Sequence, residues 1–432
     1  MAQSIAIVGA GIGGLTLGRI LARCGIPYVI YDRSPSPRLN NYGITLLPEQ
    51  LPSLCQITGI SNEADLISRL AVDSAIGGRG FVQTQWSDDI PKQKQTLRSS
   101  GAERGRLGPF RANRARLESL LAAGLDIKYG HAVSSIDITT GEPTLRFTSE
   151  ESAKHRLVVA ADGVHSIVRN CLLPGIKPRV HPIVAIYGKR RIPKQQFLNW
   201  TFGSSHQRLA YTDFKLGALA DSPEHLQDVV TRISVADTTD EGDSVTVEYV
   251  YSRASRGSAD PLYKPDRSTG EAKRIDESLF DELSQSREYV LSRQESFSSM
   301  WKTWNEVFDT AKVRDDRKLS WLMRSVVQPG KEVLSTLADK GILFIGDAVH
   351  AEPILGGQGA NNAIDDAIHL ADRLRGQDNQ DLSGFYEHIH EGWTASGYRS
   401  DEKIMAMHNI RKGATSTPGA RSTARPKEEQ KL

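Results

Sequence analysis

Near the C-terminal end of the chain, Gly346-Asp347-Ala348-Val349-His350 runs on through Pro353 to Gly356-Gly357-Gln358-Gly359-Ala360-Asn361. Asp347 follows a short apolar run, Ile342 to Ile345, that reads as a buried strand. At a strand end its carboxylate is placed to accept hydrogen bonds from sugar-type hydroxyls. The glycines lead into a helical pattern, Ala363-Ile364, Ala367-Ile368, Leu370-Ala371 and Leu374. A helix start offers free backbone N–H groups and partial positive charge, which suit an anion or a ring that becomes anionic. The same pattern also fits an ordinary strand–turn–helix junction with a capping aspartate.

A second chemical motif opens the chain. Ser4 to Val8 reads as a strand, Gly9-Ala-Gly11-Ile-Gly13-Gly14 follows, and Leu15 to Cys24 reads as a helix. Another strand, Tyr28 to Tyr31, ends in Asp32-Arg33. This is a G-x-G-x-x-G turn in its required context. Gly9 allows the tight turn, Gly11 lets the backbone approach a pyrophosphate, Gly14 permits close helix–strand packing, and Asp32 reaches ribose hydroxyls. A third junction, Ala161-Asp162-Gly163, follows the apolar run Arg156–Ala160. His165 beside it reads as a surface or capping residue. Gly77-Gly78-Arg79-Gly80 has no helical pattern after it and reads as a turn, so the chain carries one nucleotide fingerprint.

The elements that position these motifs are α/β in character. Arg98, Arg104, Arg106, Arg111, Arg114 and Arg116 form a basic run entering a helix over 113–123, where Arg114 shares a face with Leu117, Leu120 and Leu121. An arginine on an apolar face needs a partner, and a ligand phosphate or carbonyl is one. Strands are expected over 132–138, 144–148 and 156–160. From about Leu173 to Ser320 the character changes. Strands are expected over 183–188, 208–211 and 244–251 and helices over 222–233 and 276–292, which makes a second, largely antiparallel domain that supplies a pocket. Trp200, Trp301, Trp304 and Trp321 read as core, and Arg190 and Arg191 as surface charges at a strand end. The nucleotide-binding domain is therefore drawn over 1–75, 101–175 and 325–410, and the substrate domain over 76–100 and 176–324. A polar, Pro/Ser/Thr-rich tail over 411–432 reads as disordered.

Composition narrows the function. The chain has 432 residues, 39% hydrophobic and 25% charged, as in globular proteins generally. A net charge of +2 gives no reason to expect nucleic acid as a partner. Three widely spaced cysteines argue against a disulfide framework or a metal site and fit a reducing, cytoplasmic setting. No run approaches a membrane span. Neither G-x-S-x-G nor H-E-x-x-H is present, which disfavours the common hydrolases.

The ordered set of GAGIGG with Asp32-Arg33, Arg114-x-x-Leu-x-x-x-Leu121, Asp162-Gly163 and Gly346-Asp347…Pro353…Gly356-Gly-Gln-Gly-Ala-Asn361 resembles the single-component, FAD-dependent aromatic monooxygenases of the para-hydroxybenzoate hydroxylase fold. It looks most like the salicylate-hydroxylase, tetracycline-inactivating and fungal secondary-metabolism branches. The resemblance covers roughly residues 4–375. It implies that Gly9, Gly11 and Gly14 hold a pyrophosphate and Asp32 a ribose, and that Arg33 and Arg114 line the FAD site. Asp162 would touch FAD and the nicotinamide nucleotide, and Asp347 the ribityl chain. Gly357, Gly359, Ala360 and Asn361 would face the flavin edge, with Gly43 near the ring and Pro353 shaping the oxygen-reacting face. In fungal relatives an arginine and a tyrosine of the middle sheet take part in catalysis, and Arg190 or Arg191 and Tyr211 are the nearest candidates. The implied activity is NADPH- or NADH-consuming insertion of one oxygen atom from O2 into an aromatic or polycyclic metabolite through a C4a-hydroperoxyflavin. A dehydrogenase, oxidase or reductase on the same fold, and a binding protein of the GDP-dissociation-inhibitor type, are the competing readings. Monomer and homodimer stay open.

Overall fold

The computed structural model describes residues 4–38, 41–83, 108–139, 141–200, 210–218, 221–238, 243–263, 275–292, 300–376 and 382–410. The expected tail, Arg98, Arg104, Arg106, and Arg208 at the start of an expected strand lie outside these residues.

Two sheets organise the molecule. The first is parallel, in the order Ile342–Phe344, Leu157–Ala160, Ile5–Val8, Tyr28–Asp32, Ile127–Tyr129. Its central strands, Ile5–Val8 and Leu157–Ala160, are buried at every residue. That is why they read as unbroken apolar runs rather than alternating ones: helices cover both faces of a parallel sheet. The Ile12–Arg23 and Gly359–Arg375 helices pack on it within one hydrophobic core. The order places the ends of Ile5–Val8, Leu157–Ala160 and Ile342–Phe344 side by side, so the three glycine junctions that follow them meet at one edge.

The second sheet has the order Arg317–Ser325, Arg179–Pro193, Ser244–Ala254, Val230–Thr238, Tyr211–Lys215, Val82–Gln83 and is antiparallel except at its last pair. Alternate residues of Arg179–Pro193 feed different cores. Val184, Ile186 and Ile192 pack with Trp301, Trp304 and Phe308. Ile183, Ala185 and Tyr187 face the side that holds Met323, Leu355 and Ile404. Two smaller sheets, Gly43–Leu46 with Phe110–Asn113 and a three-stranded one over 133–154, complete the architecture.

The mixed α/β class is as the sequence predicts, with one element mistaken. The segment 222–233, expected to be helical, is a single turn, Glu224–Leu226, followed by the strand Val230–Thr238. The β-branched residues Val230, Thr231, Ile233 and Val235 favour the pleated sheet, and pairing to Ser244–Ala254 and Tyr211–Lys215 overrides the local pattern. No helix among the described residues is long and apolar enough to cross a membrane.

Candidate active site

The three junctions and the antiparallel sheet enclose one cleft of about 850 Å³. At the first junction Gly9 has φ +108°, and a Cβ there would lie 2.5 Å from the Ala161 carbonyl oxygen. A Cβ on Gly14 would lie 2.1 Å from the Gly9 carbonyl oxygen. Both must be glycine for the strand, turn and helix to close. Gly11 lines the cleft, and a Cβ there would meet nothing within 4 Å. The turn thus keeps a bare, open backbone where a pyrophosphate would lie. Asp32 accepts from the Ala10 and Ser34 amides, each at 2.8 Å, and from Arg38 at 3.2 Å. Burial opposes its ionisation, yet those two amides and the Arg38 charge hold the carboxyl below its usual range. Arg33 is exposed and does not line the cleft.

At the second junction Asp162 caps the Ile167–Leu172 helix through its Oδ2, which accepts from the Ile167 amide at 2.7 Å. Its Oδ1 is buried with no hydrogen-bond partner among the described residues. Burial pushes this carboxyl up. Gly163, Val164 and His165 line the cleft beside it, which places His165 in the site rather than on the outer surface.

At the third junction Gly346 adopts φ +58° and ψ −146°. Its amide donates to Asp366 Oδ2 at 2.7 Å, and His350 Nε2 lies 2.6 Å from the same oxygen. Trp393 Nε1 donates to Asp366 Oδ1 at 2.8 Å, and its ring stacks on His350 at 4.3 Å. Asp347 opens into the cleft. Protein packed around it pushes its carboxyl up, against the pull of His350 and Arg114. Asn361 ties the start of the Gly359–Arg375 helix to the Gly43–Leu46 strand, donating to the Thr45 carbonyl and accepting from the Leu47 amide, both at 3.1 Å. Gly357, Gly359 and Ala360 line the cleft, and Gln358 at the N-cap contributes no side-chain hydrogen bond. The amides of this 17-residue helix start therefore face the cavity uncapped by a side chain. Arg114 lines the cleft too, but its Nε donates to Glu118 at 2.8 Å and its guanidinium also bonds and overlies Tyr42. The open turn at Gly11, Asp347 and the helix start together match a dinucleotide carrying an anionic bridge, a hydroxylated chain and an electron-accepting ring.

The opposite wall comes from the antiparallel sheet. Tyr187 and Trp321 stack at 4.4 Å and 16°. Trp321 is therefore a wall residue, whereas Trp301 and Trp304 are core as expected. Glu248 accepts from Arg111 and Ser234 at 2.8 Å and from the Tyr187 hydroxyl at 3.0 Å. Tyr211 lies between the guanidinium groups of Arg111 and Arg232, at 5.0 and 4.7 Å from its ring centre, and its hydroxyl donates to Asp213 at 3.0 Å. Burial and Asp213 push its phenol up, against the two arginines. Gly43 has no room for a side chain, since a Cβ would sit 2.6 Å from Arg111 Nε. Pro353 starts the turn Ile354–Gly356 on the cleft floor.

Arg190 and Arg191 do not line the cleft. Arg190 has the parity of Ile186 and Ile192, so it points to the helix-covered face, where Asp316 takes its Nε at 3.1 Å and its terminal nitrogen at 2.6 Å. Tyr249 donates to the same carboxylate at 2.7 Å. Arg191 has the parity of Tyr187 but lies further along the strand, and it is exposed. Sequence reasoning passed over Arg232, Glu248, Asp366 and Lys403, and it read Trp321 as core. Arg232 is hidden within the strand mistaken for a helix, and the others carry no local motif.

The fold and the cleft define a flavin-binding oxidoreductase. Residues 2–181 and 220–390 match the family described as the FAD binding domain, and the chain belongs to this family. It is 30% identical to the FAD-dependent monooxygenase adaC of Aspergillus niger over 94% of each chain. It is 28% identical to the FAD-dependent monooxygenase aptC of Emericella nidulans over 94% of this chain and 96% of that one. Among solved structures, 2,6-dihydroxypyridine-3-hydroxylase from Arthrobacter nicotinovorans superposes with a TM-score of 0.64 at 18% identity, over 100% of this chain and 99% of that one. CtdE in complex with FAD and a substrate gives 0.66 at 16% identity, over 94% and 90%. The protein is an FAD-dependent monooxygenase, and its substrates are a small molecule and O2.

Proposed function

We propose that the enzyme consumes NADPH or NADH and inserts one oxygen atom from O2 into an aromatic or polycyclic secondary metabolite. The other oxygen leaves as water. The observation that carries this reading is the single cleft shared by the Gly11 turn, Asp347 and the aromatic wall of Tyr187 and Trp321. Bound FAD supplies the redox chemistry, accepting a hydride and activating O2. Gly11 would open its backbone to the pyrophosphate in a turn closed by Gly9 and Gly14, Asp32 would take the adenosine ribose, and Asp347 would take the ribityl hydroxyls. Asp162 steadies the junction between them, and Arg114 braces the neighbouring wall through Glu118 and Tyr42. The helix start at Gly357, Gly359, Ala360 and Asn361 stabilises negative charge on the ring. Gly43 and Pro353 flank the ring, and the apolar floor excludes water.

Tyr211 stays as the tyrosine that faces the substrate, and Arg232 takes the place of Arg190 and Arg191 as the arginine. The Tyr211 phenol, held neutral by burial, donates its one proton to Asp213 and offers the substrate an acceptor oxygen and a ring edge. Arg324 and His165, beside Gly163, suit the phosphates of the nicotinamide nucleotide. The separate apolar cores support a cofactor domain over 1–75, 101–175 and 325–410 and a substrate domain over 76–100 and 176–324. Three free cysteines, Cys24, Cys55 and Cys171, support a cytoplasmic setting.

The test is NADPH and NADH oxidation by the flavin-loaded protein against a panel of phenols and polyketides under 18O2. A substrate that accelerates nucleotide oxidation and gains one labelled oxygen establishes the reading. Flavin reduction with no oxygen gained by any substrate would replace it with a dehydrogenase.

A further inference from the structure

Among the described residues five cations line the cleft: Arg111, Arg114, Arg232, Arg324 and Lys403. Three are committed. Arg111 is paired with Glu248 at 2.8 Å, Arg114 with Glu118 at 2.8 Å, and Arg232 with Asp213 at 2.6 Å. Arg324 and Lys403 have no carboxylate within ion-pair distance among the described residues. Arg324 stands by the Gly163 junction, in the reach of the nucleotide phosphates. Lys403 stands elsewhere, on the Gly384–Met407 helix. Its Nζ donates to the Gly356 carbonyl at 3.3 Å, at the end of the turn that Pro353 begins.

An ammonium has three donors, and this contact uses one. The charged groups in Coulombic reach of Lys403 are Arg232, Asp213 and Glu352, from three different elements. Asp213 is already held by Arg232 and Tyr211, and Glu352 accepts from Asn362 at 2.8 Å and stands beyond ion-pair distance of Lys403. Burial and the Arg232 charge push the ammonium down from its ordinary range. A cation drawn from water beside a guanidinium, facing a cavity, is compensated best by an anion from the cavity.

We propose that Lys403 recognises an ionised oxygen of the substrate, such as a phenolate, enolate or carboxylate, and so selects acidic aromatic molecules over neutral ones. This rests on the monooxygenase reading above and deepens it. Lys403 lies beyond residue 390, where the match to the FAD-binding family ends.

The experiment is calorimetric binding to the full-length, FAD-loaded protein. The probes are 2-hydroxy-1,4-naphthoquinone, whose enol is ionised at neutral pH, and its neutral 2-methoxy ether. Wild type is expected to bind the anion at least tenfold more tightly than the ether. Lys403→Met should weaken anion binding about tenfold and leave the ether within twofold, while Lys403→Arg keeps most of the anion affinity. FAD affinity, read from flavin fluorescence on dilution, should be unchanged in both variants. Equal weakening of both probes, no weakening, or a wild type that prefers the ether or binds neither would overturn the proposal. So would loss of FAD from Lys403→Met, which would place Lys403 on the flavin. Failure of the monooxygenase reading would show separately, as absence of labelled oxygen from any substrate with wild type.

Discussion

The Gly346 junction is held from behind by a carboxylate with no exposure to spare, and Asp366→Asn tests how much rests on it. In wild type Asp366 accepts from the Gly346 amide at 2.7 Å, the His350 ring at 2.6 Å and the Trp393 indole at 2.8 Å, all in the buried interior. Asparagine keeps the shape but carries one acceptor and one NH2 group. If its oxygen stays with Gly346 and His350, the NH2 faces the Trp393 N–H and leaves that donor unsatisfied, at about 1–3 kcal/mol. The charge on His350 also loses its partner, and breaking a buried pair on one side costs about 3–5 kcal/mol. The two overlap, so a total of about 3–5 kcal/mol is expected. With about 2 cal/mol/K of unfolding entropy per residue, a chain of 432 residues unfolding as one unit would lose about 3–6 °C in Tm. A pH signature accompanies the loss. Burial opposes the His350 charge, but Asp366, Asp347 and Glu352 raise its pKa above the ordinary 6.5. A raised histidine contributes stability fully below the unfolded pKa, and that contribution is lost as pH rises through the folded value. Wild type should therefore decline in Tm above pH 6.5, and Asp366→Asn should show a flatter profile. The assay is differential scanning fluorimetry of the flavin-free protein from pH 5.5 to 9. A Tm within 1 °C of wild type, with the same pH profile, would refute the network argument.

Gly14→Ala drives a Cβ to 2.1 Å from the Gly9 carbonyl; flavin content at purification should fall by more than tenfold, and a fully yellow variant would contradict the packing argument. Asp347→Ala should weaken FAD retention at least tenfold in equilibrium dialysis, and full occupancy would remove Asp347 from the ribityl site. Arg190→Ala should lower Tm by breaking its pair with Asp316, while substrate turnover per bound flavin stays within twofold. Tyr211→Phe should do the reverse, lowering kcat at least tenfold with Tm within about 2 °C, and equal kinetic effects of the two substitutions would restore Arg190 to the candidates.

What the sequence made legible was local. The Gly9–Gly14 turn and the Gly346–Asn361 stretch declare themselves because the turn, the backbone approach and the helix start all depend on residues a few positions apart. What it hid was relational. Asp366 reaches the Gly346 junction from 20 positions away and Trp393 joins it from 27, with no motif linking them. Arg111 and Glu248 are 137 positions apart. The choice of Arg190 and Arg191 failed for a different reason. Strand period shows that neighbours face opposite sides, but only packing shows which side is the cleft.

The same relational contacts explain how two cores can present one cleft. The Phe110–Asn113 strand and the helix after it reach across to the antiparallel sheet at three points. Arg111 binds Glu248, Asn113 donates to the Ala236 carbonyl at 3.0 Å, and Arg116 pairs with Asp237 at 2.6 Å. Arg116 also holds the Ala71 carbonyl at 2.8 Å, so one guanidinium clamps both bodies. Among the described residues of the basic run, Arg111 and Arg116 therefore serve as ties and not as a solvated face, and they fix where the Tyr187–Trp321 wall stands relative to the glycine turn. With the wall fixed by paired charges, Lys403 and Arg324, which have no carboxylate within ion-pair distance among the described residues, are the cations left to answer a ligand.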